Sequence, residues 1–328
     1  MEFDLLQKQI PVRRGGLISY KDSSPVKTET YVYKYDDYLK KDKSTGKKIV
    51  SFLISTHSHL AVFAMLLSAA WQYYVANKVS ILLTVSMAVF TWVIYGINQM
   101  TDKKEDFINN IDKMNFSEKY AKPMLYIFAA AAVLCLGLTY SQKSAFYVEL
   151  SGVALGILYS LKVIPGIKNG KLNFYKIKEL SFLKTFFTSF VLSYIIILPA
   201  LFHNTALKPE ILFMAAIFLK TAADGALFCD IRDLTGDKVA GIGTIPVKIG
   251  IKKTVSNIIY GNLFFALLST MLMFKGIISP ATFMFGSLVL VYSSIFAINA
   301  KNLRKNWNSF TILCEGYFPL CSIPVFFI

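Results

Sequence analysis

The chain has 328 residues, of which 55% are hydrophobic, and its mean hydropathy is +0.50. This composition is too apolar for an ordinary soluble protein, and the chain is too long for a single anchor, so we expect a polytopic membrane protein. The net charge of +15 comes from Lys and Arg spread over several loops. This distribution argues against nucleic-acid binding, because that function gathers basic residues in one patch.

The first 48 residues are polar and rich in Tyr and Lys, and no apolar run directly follows Arg13 and Arg14. The sequence therefore predicts neither a cleaved signal peptide nor a twin-arginine signal in this segment. We interpret residues 1–48 as a cytoplasmic extension and residues 49–328 as the membrane domain.

The apolar segments of the chain predict its fold. A hydrocarbon core of about 30 Å requires a helix of about 20 apolar residues. Nine segments meet this requirement, at residues 49–75, 79–97, 121–140, 145–161, 185–202, 211–229, 255–274, 278–298 and 310–328. We therefore predict an all-α fold of nine transmembrane helices bundled around a central cavity, with the two termini on opposite sides of the membrane.

The distribution of Lys and Arg predicts the orientation, because positively charged short loops remain in the cytoplasm. Thirty of the 35 basic residues lie in the first fifty residues or in the loops after predicted spans two, four, six and eight, and only four lie in the opposite loops. We therefore expect an integral membrane protein whose N-terminus and longer loops are cytoplasmic.

Two acidic clusters lie on this expected cytoplasmic side. The first, INQMTDKKEDFINN at residues 97–110, has three oxygen-bearing side chains at a spacing of i, i+4 and i+8, which places them on one helix face: Asn98, Asp102 and Asp106. The second, DIRDLTGD at residues 230–237, has three carboxylates at i, i+3 and i+7: Asp230, Asp233 and Asp237. These share a face as well if the helix continues through Gly236.

Ionised groups at a bilayer are costly, so the placement of both clusters indicates a cavity or a partner. Two oxygen-rich faces at the same ends of separate helices suit Mg²⁺, which takes oxygen ligands and is commonly completed by substrate phosphate oxygens. We therefore predict that the two clusters bind Mg²⁺, with Asn98 contributing a neutral amide oxygen. The alternative is that the acidic residues merely solvate the helix ends.

The segments NQMTDKKED and DIRDLTGDKVAGIGTIPVKIG resemble the two aspartate-rich signatures of the UbiA superfamily of intramembrane prenyltransferases. The tail of the second signature, Gly-x-x-Thr-x-Pro-x-basic-x-Gly, matches as well, and the resemblance extends from residue 49 to the C-terminus. Gln99 departs from the common Asn-Asp opening of the first signature. The resemblance implies nine helices and a diphosphate held through Mg²⁺ by six residues: Asn98, Asp102, Asp106, Asp230, Asp233 and Asp237.

The loop after the fourth predicted span resembles the family's Tyr-then-Lys loop at Tyr159 and Lys162, although the usual spacing places the Lys one position later. Lys168 is an alternative to Lys162, and Lys184 opens the fifth span, where many members carry a basic residue. We expect the diphosphate to contact Lys162, Lys184 and Arg232, the last of which lies within the second signature. For each Lys, the alternative is a positive charge that only sets the topology.

These residues suit a prenyl diphosphate, whose tail prefers lipid and whose head requires metal and cations. The leading hypothesis is an Mg²⁺-dependent prenyltransferase that moves a polyprenyl group onto a lipophilic acceptor, with an aromatic acceptor as the expected type. Its catalytic residues would be Asp102, Asp233, Tyr159 and Asp224. A membrane terpene cyclase of the same superfamily, which needs no acceptor, is the alternative. A transporter is a third hypothesis, but both clusters lie at one membrane face and not near the midplane.

Two polar pairs within the predicted spans bear on the acceptor. His57 and His59, in span one, could bind or deprotonate a phenolic acceptor, or could hydrogen-bond to a partner at the interface. Lys220 and Asp224, at i and i+4 in span six, are expected to meet on one helix face. Asp224 would then act as a base or orienting group, or the pair would be an internal salt bridge that holds helices together.

Overall fold

A computed structural model describes residues 18–19, 32–33, 45–101, 111–168, 170–177, 180–304 and 306–322. The chain divides into two units, Met1–Val50 and Ser51–Ile328. In the first unit, strands β1 (Ile18–Ser19) and β2 (Val32–Tyr33) pair antiparallel. Helix α1 (Thr45–Ser55) crosses the division between the units. The predicted boundary at residues 48 and 49 stays a prediction.

The second unit is almost entirely helical. After α1, its helices are α2 (Ser58–Ala76), α3 (Ile81–Thr101), α4 (Ile111–Thr139), α5 (Lys143–Ser160), α6 (Ser181–Phe202), α7 (Pro209–Arg232), α8 (Leu234–Ala240), α9 (Ile245–Phe274), α10 (Pro280–Leu303) and α11 (Trp307–Ser322). Strands β3 (Lys162–Lys168) and β4 (Lys171–Lys176) form an antiparallel hairpin between α5 and α6. The chain is therefore mostly helical, as predicted, and the β1–β2 and β3–β4 pairs are short strand pairs that the all-α prediction did not include.

The β3–β4 hairpin has a local cause in the sequence. Asn169 and Gly170 separate the two strands, and Gly170 has a φ of 72°. An Asn-Gly pair is favoured in two-residue hairpin turns because both positions require positive φ. Val163, Ile164 and Ile167 on the first strand favour extended structure. The hairpin therefore follows from residues between the Tyr and Lys positions of this loop and the start of α6.

Six helices in the described part of the chain are long and apolar enough to cross a membrane: α2, α3, residues Lys119–Thr139 of α4, α7, α9 and α10. Large apolar side chains on the outer faces of α4 and α9 are exposed, among them Val133, Leu134, Phe264 and Leu267. Exposed apolar surface of this extent is rare on soluble proteins and suits contact with lipid. The protein is thus an integral membrane protein, and the count of nine spans stays a prediction.

Three single-residue breaks interrupt the helices, and the first of them lies inside a predicted span. His57 has a φ of 55° and separates α1 from α2, so the first predicted span, 49–75, consists of parts of two helices. Gly250 has a φ of 81° and a ψ of 158° and divides α9 near its start. Asp233, with a φ of −91° and a ψ of 5°, separates α7 from α8. Hydropathy averages over many residues and does not report such single-residue changes in the backbone.

Helix α7 lies at the centre of the described helices, where it contacts α6, α9, α10 and α11. Its first half belongs to an apolar cluster around Trp71 and Phe285, and its second half to a cluster around Phe228 and Phe296. Helix α2 contacts α3, α6 and α11. The end of α7, where the second acidic cluster begins, is therefore surrounded by other helices.

Candidate active site

The second acidic cluster lies at the end of α7 and in α8. The condition for a shared face, one helix that continues through Gly236, is not met, because α7 ends at Arg232 and α8 begins at Leu234. The backbone hydrogen bonds nevertheless continue across the break, from Asp233 N to Cys229 O at 2.9 Å and from Asp237 N to Asp233 O at 3.0 Å. Gly241 then ends α8 with a φ of 74°, and Pro246 lies in the first turn of α9. The tail of the second signature thus ends one helix and starts the next.

Lys184, in the first turn of α6, reaches this cluster. Its Nζ donates to Asp230 Oδ1 at 2.6 Å, and the Asp230 side chain is fully buried. The remaining oxygen of Asp230, Oδ2, and Oδ2 of Asp237 are buried and have no hydrogen-bond partner among the described residues. Burial raises the pKa of Asp237 to about 7; the charge of Lys184 opposes this shift, whereas Asp233 and Asp230 add to it. The cluster therefore has more buried carboxylate than its protein neighbours neutralise.

Arg232 organises the other side of the cluster. Its guanidinium binds Asp233 in a bidentate manner, with Nε to Oδ1 at 2.9 Å and the second terminal nitrogen to Oδ2 at 2.8 Å. The same guanidinium donates to Thr311 Oγ1 at 2.9 Å and to Glu315 Oε1 at 3.1 Å on α11. Bidentate Arg–carboxylate pairs fix geometry as well as charge. Arg232 thus fixes the orientation of Asp233. Its guanidinium already binds three protein side chains, so it is not reserved for a ligand.

Glu315 links this pair to the first span. Its Oε2 lies 2.6 Å from His59 Nε2, and His59 Nδ1 lies 3.0 Å from the carbonyl oxygen of Leu53. Because a carbonyl oxygen only accepts, Nδ1 is the donor in the contact with Leu53, and Nε2 is occupied by Glu315. Neither nitrogen of His59 is then available to take a proton from an acceptor. The hydrogen-bonded alternative for His59 is thus the one that the structure contains.

Glu315 is a site residue that the sequence reasoning missed. It lies in the last predicted span, and it is the only acidic residue between 310 and 328. An isolated carboxylate in an apolar span is a signal of a buried partner. That signal was available, but the identity of the partners, His59 and Arg232, depends on how α11 packs against α2 and α7.

The first acidic cluster lies only partly within the described residues. Asn98 lies near the end of α3 and is half-buried, whereas Asp102 and Asp106 lie outside the described residues. Among the residues that the structure describes, no three His, Cys, Asp or Glu side chains come together as a metal site. The buried oxygens of Asp230 and Asp237 are oxygen donors of the kind that Mg²⁺ takes, so they fit one half of a two-cluster site.

The two residues of the Tyr-then-Lys loop lie in different elements, one in helix α5 and one in the β3–β4 hairpin. Tyr159 lies at the end of α5, and its ring stacks on Phe187 of α6 with centroids 5.5 Å apart. Lys162 is the first residue of β3 and is exposed. Among the predicted basic residues, the structure therefore brings Lys184 and Arg232 to the second cluster, and it places Lys162 on the surface.

Lys220 and Asp224 meet within α7, as predicted. Lys220 Nζ donates to Asp224 Oδ2 at 2.5 Å and also to the side-chain oxygen of Asn262. Asp224 Oδ2 accepts a second hydrogen bond from Ser293 Oγ at 2.6 Å, and Asp224 is only 2% exposed. The network joins α7, α9 and α10, which is the arrangement expected of an internal salt bridge. The catalytic role of Asp224 stays a prediction.

Comparison with known proteins identifies the family. A family model described as the UbiA prenyltransferase family matches residues 58–314. The chain belongs to the UbiA prenyltransferase family. Comparison with curated protein sequences gives no match.

Solved structures of UbiA homologues share the fold of this UbiA family member. A homologue from Archaeoglobus fulgidus bound to DMAPP and Mg²⁺ aligns with a TM-score of 0.60 and 13% identity, over 85% of this chain and 99% of that chain. The same homologue bound to GPP and Mg²⁺ gives a TM-score of 0.60, with 13% identity over 85% and 100% of the two chains. Its Cd²⁺-bound structure gives 0.55, with 12% identity over 85% and 100%.

Proposed function

We propose that this protein is an Mg²⁺-dependent prenyltransferase that moves a prenyl group from a prenyl diphosphate to a lipophilic acceptor, with an aromatic acceptor as the expected type. The observation that carries the proposal is the end of α7, where Lys184 binds Asp230 and two buried carboxylate oxygens have no hydrogen-bond partner in the described part of the chain. The Archaeoglobus fulgidus homologue, whose structures contain DMAPP or GPP with Mg²⁺, supports the donor class.

The metal ligands in this proposal come from both signatures. Asp230, Asp233 and Asp237 supply one side, and the first signature supplies the other through Asn98, Asp102 and Asp106. Bound Mg²⁺ supplies Lewis-acid chemistry, because it neutralises charge that develops on the departing diphosphate. Asp230 and Asp237 each present a buried oxygen that accepts no hydrogen bond from the residues that the structure describes, so this oxygen can coordinate without breaking one of those bonds.

The basic residues have separate roles. Lys184 places a positive charge at the entrance of the cluster, where it would bind a diphosphate oxygen and stabilise the leaving group. Its Nζ has three donors and uses one on Asp230, so donors remain for a substrate. Arg232 keeps the Asp233 carboxylate in one orientation. Lys162 is the more distant candidate for diphosphate contact, since it lies exposed on the hairpin.

The protein must also exclude water from the allylic cation that forms as the C–O bond breaks. Tyr159 stacks on Phe187 beside the first turn of α6, which also carries Lys184. An aromatic ring in this region would stabilise a cation through its π face. Asp224 lies about 9 Å deeper along α7 than Asp230, since a helix rises 1.5 Å per residue. In the catalytic version of the proposal, it orients the acceptor or takes the proton that is lost after bond formation.

A product assay tests the proposal and separates it from the terpene cyclase alternative. Purified protein in nanodiscs is incubated with Mg²⁺ and prenyl diphosphates of several chain lengths, with and without lipophilic phenols. A transferase releases diphosphate only when an acceptor is present and yields a prenylated acceptor. A cyclase releases diphosphate without an acceptor and yields a cyclic hydrocarbon or alcohol. No diphosphate release under any of these conditions would contradict both enzyme proposals.

A further inference from the structure

The β3–β4 hairpin has one apolar face that the rest of the described structure leaves exposed. In the strand register, Pro165 is opposite Phe174 and Ile167 is opposite Leu172. Residues that are opposite each other on antiparallel strands project to the same face. Ile167 is 80% exposed and Leu172 is 70% exposed, and Phe174 on the same face is exposed as well.

The opposite face of the hairpin is less exposed. Ile164, Gly166, Asn173 and Tyr175 are each half-buried and alternate along the strands with the exposed residues. The ring of Tyr175 lies over Gly166 so closely that a Cβ at this glycine would come within 2.7 Å of it. The hairpin is therefore two-sided, with a partly covered face and an exposed apolar face.

Charge and position identify what covers the apolar face. The hairpin carries Lys162, Lys168, Lys171 and Lys176 and no acidic residue. It leaves the end of α5 and returns at the start of α6, so both of its ends are attached to the helical membrane domain. An exposed apolar face on a hairpin that carries four Lys and no carboxylate fits the boundary between acyl chains and anionic headgroups.

We propose that residues 162–176 form a membrane-surface hairpin, whose apolar face of Pro165, Ile167, Leu172 and Phe174 enters the headgroup region of the adjacent leaflet and favours anionic lipids. The bilayer is the occupant because the helices that the hairpin joins, α5 and α6, pack on α3 and α7, which are long and apolar enough to cross it. This role is independent of the prenyl-transfer proposal. It also accounts for the exposed position of Lys162, which the family's loop pattern does not explain.

Photocrosslinking in the full-length protein tests this proposal. Photoreactive p-benzoylphenylalanine replaces Ile167 on the apolar face or, as the matched control, Asn173 on the partly covered face. The protein is placed in nanodiscs of phosphatidylcholine, either alone or mixed with phosphatidylglycerol, and the crosslinked species are identified by mass spectrometry. We expect lipid adducts at position 167 several-fold above those at position 173, with the excess increasing in the anionic nanodiscs.

Equal lipid adducts at the two positions, or adducts at position 167 only to protein, would overturn the proposal. If phosphatidylglycerol did not increase the excess of lipid adducts at position 167, the proposed preference for anionic lipids would be overturned. A second variant, Leu172→Asp, puts a charge on the apolar face and should lower lipid adducts at position 167 several-fold. Thermal unfolding of each variant verifies that the membrane domain is intact. Because the readout is lipid contact, its failure is distinguishable from a lack of prenyl transfer.

Discussion

At the scale of single residues, Glu315 links His59 of α2 to Arg232 of α7. It accepts hydrogen bonds from Arg232 and from His59, and Arg232 in turn holds both oxygens of Asp233. Asp233 and Glu315 therefore both neutralise the positive charge of Arg232. Without Glu315, the positive charge of Arg232 would be neutralised by Asp233, a predicted Mg²⁺ ligand.

We predict that Glu315→Gln raises the Mg²⁺ concentration required for half-maximal turnover, because Arg232 then competes more strongly with the metal for Asp233. The loss of a charged buried partner should also lower the free energy of unfolding by about 1–3 kcal/mol. Thr311→Val is the matched control, since it removes another Arg232 partner but no charge. Metal titrations of both variants check this, and an unchanged Mg²⁺ requirement in Glu315→Gln would count against the role.

Asp224 presents a different choice, because its salt bridge with Lys220 has a structural and a catalytic interpretation. Asp224→Asn keeps the shape and one hydrogen bond to Ser293 but removes the charge that balances Lys220. A structural role predicts lower thermal stability with turnover retained. A catalytic role predicts lost transfer with prenyl diphosphate binding retained. Turnover, ligand binding and thermal unfolding, measured on one preparation, distinguish the two roles.

At the scale of elements, the break in α9 depends on one glycine. Gly250 has a φ of 81° and a ψ of 158°, a conformation that is essentially restricted to glycine. No heavy atom lies within 4 Å of a Cβ built at this position, so the backbone conformation is what disfavours a side chain here. Gly152, inside α5, has the same open space but a helical backbone.

We predict that Gly250→Ala lowers the free energy of unfolding by about 1–3 kcal/mol through backbone strain. Gly152→Ala should instead raise it by about 0.5–1 kcal/mol, because alanine loses less conformational freedom in a helix than glycine does. Thermal unfolding in the same detergent checks the opposite signs. Similar stability changes in the two variants would show that Gly250 does not need its glycine-only conformation.

How far the sequence predicts these elements depends on the range of the interactions. The apolar runs and the i, i+4 pair of Lys220 and Asp224 are local signals, and the structure contains six helices suited to crossing a membrane as well as the pair. The left-handed His57 is a single-residue change inside a predicted span, and the hydropathy pattern averages it away. The pairing of Glu315 with His59 joins residues 256 positions apart. Such contacts depend on packing between helices, and a single sequence does not encode them in a readable spacing.

At the scale of the whole molecule, the charge distribution predicts the topology. Both acidic clusters follow spans that end on the side with the excess of Lys and Arg. A reporter fused after Ile108 or Lys238 should therefore be cytoplasmic, and one in the loop at residues 203–209 should be on the opposite side. Protease protection or a compartment-sensitive fusion checks this. Finding the two acidic clusters on opposite faces would exclude a shared metal site.

The central claim is that both acidic clusters bind one metal–diphosphate complex. Its most direct test is Mg²⁺-dependent turnover of a prenyl diphosphate by Asp102→Ala and Asp233→Ala, with Glu210→Gln as the control at the opposite end of α7. Each aspartate variant removes oxygen ligands but little core volume, so it should remain folded and lose about 100-fold or more in turnover, equivalent to ~2.7 kcal/mol. Glu210→Gln keeps an acceptor for Ser279 N and should retain turnover. Near-wild-type turnover of either aspartate variant at saturating Mg²⁺ would contradict the shared site.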